Sequence, residues 1–199
     1  MEFPLLGQQV AVDLANTVWV YAGQRVDALD TVEVADRWLV AVGSHRLGDG
    51  GTLRDAAGGT EALHVRDEGF RADLQALREH VRALLNASAS GQAADSATLE
   101  ALNGAAAAAP SRVQAIPDGQ AHLIVRLRPP PPRTAVLAAL AEDALLMVAP
   151  EEPLPVFACP GPGCLGVLVR DDPRRRYCSP NCANRARVAR HYARTRPPG

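Results

Sequence analysis

All four cysteines of this 199-residue chain fall in its last fifth, as Cys159 and Cys164 and then Cys178 and Cys182. Two close pairs joined by a short spacer supply the soft ligands of a tetrahedral Zn²⁺ site, each pair wrapping one side of the ion. Cys159 to Cys164 encloses Pro160, Gly161, Pro162 and Gly163, which permit a tight knuckle whose backbone approaches the metal. Four protein sulfurs leave no open coordination position, so one structural zinc is expected. Iron–sulfur ligation uses the same residues but needs no hairpin of the kind described next. A module of about forty residues is too small for a core of its own, so the metal must supply folding energy.

Between the pairs, Leu165–Val169 and Arg175–Tyr177 read as two short strands about a turn at Asp171, Asp172 and Pro173. Ser179 can cap a helix with Pro180 at its first position, which puts Cys182 in the first helical turn. Knuckle, hairpin and then a helix bearing the second pair is a treble-clef layout. At about 100° per residue, Cys182, Arg185, Val188, Ala189 and Tyr192 share one helix face, expected to pack on the knuckle and hairpin. Arg187, Arg190 and Arg194 share the opposite, solvent face. With Arg174, Arg175 and Arg176 they form a basic surface able to grip several phosphates. Arg185, on the packed face, is expected to donate to knuckle carbonyls or to Asp171 or Asp172, with Asn184 capping or bridging beside it. His191, two and a half turns past Cys182, is expected at the surface and not on the metal.

The net charge of −1 hides a split. Residues 159–199 carry nine arginines against Asp171 and Asp172, a balance of +7, while residues 1–158 carry a balance of −8. A basic tail on an acidic body fits a nucleic-acid-binding appendage, or a tail that docks on its own body. Every basic residue is arginine, as in a GC-rich coding sequence, so the choice of arginine over lysine carries no argument. No stretch approaches the ~20 apolar residues of a membrane span, and the start lacks the basic and apolar regions of a signal peptide. A cytoplasmic protein is the expectation, and a reducing compartment favours metal over disulfides.

Ahead of the cysteines the chain reads as an α+β body that is mostly helical. Helical spacing marks Asp27–Val42, closed at Gly43, and Val65–Leu85, where Phe70, Leu74, Leu77, Val81, Leu84 and Leu85 advance by three and four. Residues 43–60 read as a flexible loop. A helix over Ser96–Ala109 is expected, capped by Ser96 or Thr98. Arg112–Ile116 and Ala121–Leu127 flank turn residues Pro117–Gln120 and predict a β-hairpin. Pro129–Pro132 is a stiff connector, and Thr134 can cap a last helix to Val148. The division expected is a body over 1–149, a linker over 150–156 and the finger over 157–199. In the apolar N-terminus, Asp13, Asn16, Thr17, Arg25 and Asp27 form the one polar cluster. It reads either as a ligand pocket or as helix caps and buried hydrogen bonds. No Ser/His/Asp set, phosphate loop or carboxylate pair stands out, so catalysis is not expected.

At Cys182, Ala183, Asn184 and Arg185 the chain resembles the CGNR zinc-finger family, with alanine where the family has glycine. Alanine early in a helix is well tolerated. Arg176–Ser179 fits the same pattern, and Val12–Val18 with Trp38 and Leu39 resembles the family's N-terminal ABATE domain. The resemblance implies a bacterial, zinc-binding, stress-induced transcription regulator whose finger contacts DNA. Three readings follow: a DNA-binding regulator whose body senses a signal or forms a homodimer, a zinc-stabilised protein-interaction module, and a ligand-binding body with the finger as scaffold.

Overall fold

Apolar residues spaced by three and four generate the longest element of the computed structural model, helix α4 (Glu68–Ala89). Phe70, Leu74, Leu77, Val81, Leu84 and Leu85 lie along its buried face. Asp67 caps it by accepting from the Phe70 N–H at 2.8 Å. The structure describes residues 3, 5–21, 23–48, 51–109, 112–117, 123–128, 130–149 and 153–195, with side chains left aside at Ala62 and in the 112–128 strands.

Around α4 stand α1 (Val10–Ala15), α2 (Val32–Val42), α3 (Leu53–Ala57), a 3-10 turn at Thr60–Ala62, α5 (Ser96–Ala107) and α6 (Pro132–Met147). Strands β1 (Val18–Tyr21) and β2 (Gln24–Asp27) form one antiparallel hairpin, β3 (Arg112–Pro117) and β4 (Leu123–Arg128) a second. The third pair is β5 (Val156–Ala158) with β6 (Val167–Val169), followed by α7 (Pro180–Thr195). An α+β class with a mostly helical body and a cysteine module is what the sequence predicts. No helix among the described residues is long and apolar enough to cross a membrane.

Helix α6 is the hub and touches α1, α3, α4 and α5. Its alanines at 135, 138, 139, 141 and 144 are buried and let neighbours approach closely. Among them lies Asp143, 1% exposed, which accepts from the Ala11 N–H at 2.8 Å and the Gly48 N–H at 2.7 Å. A second buried ion, Arg78 of α4, donates to Asp27 at 2.6 Å and to Thr17 at 3.3 Å and so pins β2 and the end of α1.

Several local expectations are corrected. The 43–60 segment is not wholly a loop: Thr52 and Asp55 form a reciprocal capping box that starts α3, and Leu53 and Ala57 bury its one face. The hairpin β1–β2 is absent from the sequence reading; its register pairs Val18 with Asp27 and Tyr21 with Gln24, and Gly23 turns it at φ 79°. Asp95, and not Ser96 or Thr98, caps α5. Helix α6 begins at Pro132, ahead of Thr134, because proline suits the first helical position and needs no donor there. The predicted second hairpin forms in register from Arg112↔Arg128 to Pro117↔Leu123, while its turn residues 118–120 lie outside the described residues.

Inside the cysteine module the strands also differ. Arg175–Tyr177 is not a strand. Strand β6 pairs instead with β5, across the knuckle, because the edge that Arg175–Tyr177 would need is already taken. Val167 exchanges two hydrogen bonds with the Asn16 side chain, at 2.9 and 2.8 Å, and Val169 exchanges two with Gln8, at 3.0 and 2.7 Å. Two side-chain amides of the body thus act as a neighbouring strand.

Asp143→Ala removes the acceptor of two N–H groups at the hub. A loss of roughly 2–4 kcal/mol in unfolding free energy is expected, read by urea denaturation. A loss under about 0.5 kcal/mol would show that α1 and the Gly48 segment do not depend on it.

Candidate metal centre

The knuckle closes because its backbone can turn tightly. The Cys159 N–H donates to Gly166 at 2.8 Å, Cys164 N–H to Gly161 at 2.9 Å, and Gly163 adopts φ 68°. Gly161 has no alternative, since a Cβ there would lie 2.8 Å from the Cβ of Cys182. Across from the knuckle, Ser179 caps α7 by accepting from the Cys182 N–H at 3.2 Å. Cys182 therefore sits in the first helical turn, beside the positive end of the helix dipole.

The four Sγ atoms lie within 4.8 Å of one another and no other group of metal-ligating side chains occurs among the described residues. Cys178 Sγ is 3.5 Å from that of Cys164 and 3.4 Å from that of Cys182. A tetrahedron with Zn–S bonds of about 2.3 Å has edges of about 3.8 Å, so the donor set fits zinc. None of the four forms a disulfide. Their acidities make the same point: hydrogen bonds from Cys164 and Cys178 pull the Cys159 thiol down to about 2. The bond to Cys159 pushes Cys164 up to about 11 and raises Cys178 as well. Four sulfurs so close cannot all be anions until a dication is shared among them.

Around the sulfurs lies a set of N–H donors. Gly166 donates to Cys164 at 3.3 Å, Cys178 to Cys159 at 3.4 Å, and Arg185 Nη2 to Cys182 at 3.1 Å. Arg185 is thus corrected: it serves a ligand sulfur, not a knuckle carbonyl, Asp171 or Asp172. That bond raises its own pKa. Asn184 accepts from Arg187, three residues along the helix, at 2.7 Å. His191 is exposed, edge-on to Tyr192.

On α7 the buried face is narrower than its sequence pattern. Cys182 and Ala186 are buried, whereas Val188 is 43% and Tyr192 68% exposed. The C-terminal half of the helix carries no buried residue, so Val188, Ala189 and Tyr192 do not pack on the hairpin. Arg187, Arg190 and Arg194 are exposed on one face. Arg190 donates to the Tyr177 hydroxyl at 3.0 Å and Arg194 to the Arg190 carbonyl at 3.3 Å. Arg174 and Arg176 are exposed, while half-buried Arg175 lies 3.6 Å from Asp171.

The N-terminal polar residues do not form one pocket. Asp13 is buried and accepts from the Leu6 N–H, with His45 Nδ1 also 2.8 Å away; burial raises its pKa. Thr17 donates to the Leu14 carbonyl, Asp27 holds Arg78, and Arg25 is exposed on β2. Asn16 alone of this set lines a cleft, of about 890 Å³, between the β1–β2 hairpin and the start of α7. That cleft has no signal in the sequence, since its walls come from segments about 150 residues apart. Arg82 completes the join by donating to the Ala15 carbonyl at 2.6 Å and to the Leu165 carbonyl at 3.3 Å.

The reconstituted protein is expected to hold one zinc per chain. Excess chelator should release it and make all four thiols reactive to a thiol dye. Acid should do the same, because each thiolate takes up a proton as the pH falls. Thiols that stay unreactive after chelation would contradict a metal-held cluster.

Two family models match the chain. Residues 8–151 match ABATE, described as a "putative stress-induced transcription regulator", and residues 156–195 match the CGNR zinc finger. No curated protein is significantly similar to the chain. With its body and its four-cysteine site both matched, the chain belongs to the ABATE family and carries a CGNR zinc finger with one structural zinc site.

Proposed function

We propose that this protein is a bacterial, cytoplasmic transcription regulator whose finger binds DNA by its phosphates, and that it is not an enzyme. The carrying observation is the projecting half of α7, where Arg187, Arg190 and Arg194 lie exposed on one face. Among the described residues none of the three is paired with a carboxylate. The helix start is fixed by Cys182 and Ser179, so the arginines stand on a rigid support and lose little freedom on binding a backbone. Arg174 and Arg176 extend the surface from the turn, while Arg175 is partly committed to Asp171. A negatively charged body behind a finger of charge +7 favours an approach with the finger foremost.

A second reading, a protein-interaction module or homodimer, is favoured by one observation. Val188 and Tyr192, one turn apart, are exposed together on the same helix. An apolar pair of this kind suits a partner protein or a second copy.

Fluorescence anisotropy of zinc-loaded protein on duplex DNA across a salt series decides between them. Under the first reading binding is micromolar or tighter. It weakens with salt, and the log–log slope becomes shallower by about three in the triple Arg187→Ala, Arg190→Ala, Arg194→Ala variant. No binding at low salt, together with self-association lost on Tyr192→Ala, would establish the second.

A further inference from the structure

The β1–β2 hairpin has two outer edges, and only one carries charges. On β2 the residues whose backbone groups face outward are Arg25 and Asp27, whereas β1 reads Val18, Trp19, Val20 and Tyr21 with no charge. Backbone pairing fixes which groups β1 turns outward. The Ala28 N–H donates to the Thr17 carbonyl at 2.8 Å. Bonded pairs alternate along an antiparallel ladder, so Trp19 and Tyr21 are the residues that bond β2. The N–H and C=O groups of Val18 and Val20 therefore point away from β2, and they have no partner among the described residues.

That open edge faces the cleft beside α7. All four residues of β1 line the cleft, but of β2 only Val26 does. Successive strand residues point to opposite faces, so a cleft lined by four in a row lies along the edge and not over one face. Val18 is 2% exposed and Tyr21 68%, so the edge runs from the floor of the cleft to its mouth. On the opposite wall Asn181 and Asn184 stand one turn apart on α7. Side-chain amides already act as a neighbouring strand in this chain, where Gln8 and Asn16 satisfy β6. Of the residues lining the cleft, Arg185 alone is basic and none is acidic. Its Nε is buried and has no acceptor among the described residues. It belongs to a finger with nine arginines against two carboxylates. That excess is larger than the double negative charge of a zinc tetrathiolate.

We infer that this cleft binds an extended acidic peptide, which adds to β1 as a third strand between the hairpin and α7. The peptide exchanges hydrogen bonds with the backbone of Val18 and Val20, and its alternate, apolar side chains lie beside Trp19 and Tyr21. Its carboxylates meet the arginine-rich wall, and Asn181 and Asn184 take its far edge. Strand addition of this kind needs no contact between the finger and DNA.

Peptides are selected from a random decapeptide library displayed on phage, with zinc-loaded full-length protein as the bait. The enriched sequences are expected to alternate apolar with polar residues and to carry net negative charge. With the leading peptide bound, amide hydrogen exchange read by NMR should slow at least tenfold at Val18 and Val20 and stay unchanged at Trp19 and Tyr21. Val20→Pro removes an outward N–H and no bond to β2, a position where an edge strand tolerates proline. It should weaken the peptide about tenfold. No enriched peptide, enrichment of basic sequences, or binding that leaves Val18 and Val20 exchanging as before would overturn the assignment. So would slowing of the same two amides when the protein concentration alone is raised, which would make a second copy the occupant. Selection and exchange use the unsubstituted chain, so they decide even if the variant folds poorly.

Discussion

Four sulfurs within one tetrahedron's reach impose the constraint on which the C-terminal fifth depends. Thiols at that distance compete for protons, as the opposite displacement of Cys159 and Cys164 makes plain. Only a shared dication lets all four be thiolates, and the same dication fastens the knuckle to the start of α7. Around the sulfurs the module buries little, namely Leu168 with Cys159 and Cys182, while Val156, Val167 and Val169 are buried in the core of the body. The dication therefore adds to the stability of the knuckle and the start of α7.

The module does not stand apart from the body. Asn16 and Gln8 satisfy the free edge of β6 with four hydrogen bonds, in the manner of an added strand. Arg82 closes the same seam on the knuckle side. The seam also explains Gly166, where a Cβ would lie 3.2 Å from Asn16 Oδ1 and against two ligand sulfurs. The seam thus joins the strand behind the knuckle directly to the end of α1.

In the body, buried charges play the corresponding part. Asp143 gathers α1 and the Gly48 segment onto α6, and Arg78 gathers β2 and Thr17 onto α4. Each makes several hydrogen bonds, which is what keeps a buried ion from destabilising its surroundings. With few aromatic residues to fill space, an alanine-rich core gains its specificity from such directional contacts.

The sequence by itself determined the zinc site, the cap and first turn of α7, the amphipathic α4 and the second hairpin. Each rests on residues close together in the chain: cysteine spacing, a Ser-Pro cap, a three-and-four period, an alternation about a turn. It also marked Asp13, Asn16 and Thr17 as polar positions in an apolar stretch without disclosing their tasks. Only the tertiary structure decided those. Asn16 serves a strand 151 residues away. Tertiary structure also decided that Val188 and Tyr192 are uncovered, since periodicity marks a face but not the length over which a neighbour reaches it. Hydrogen-bond partners and the limits of burial depend on which segments meet, and that is not written in any local stretch of chain.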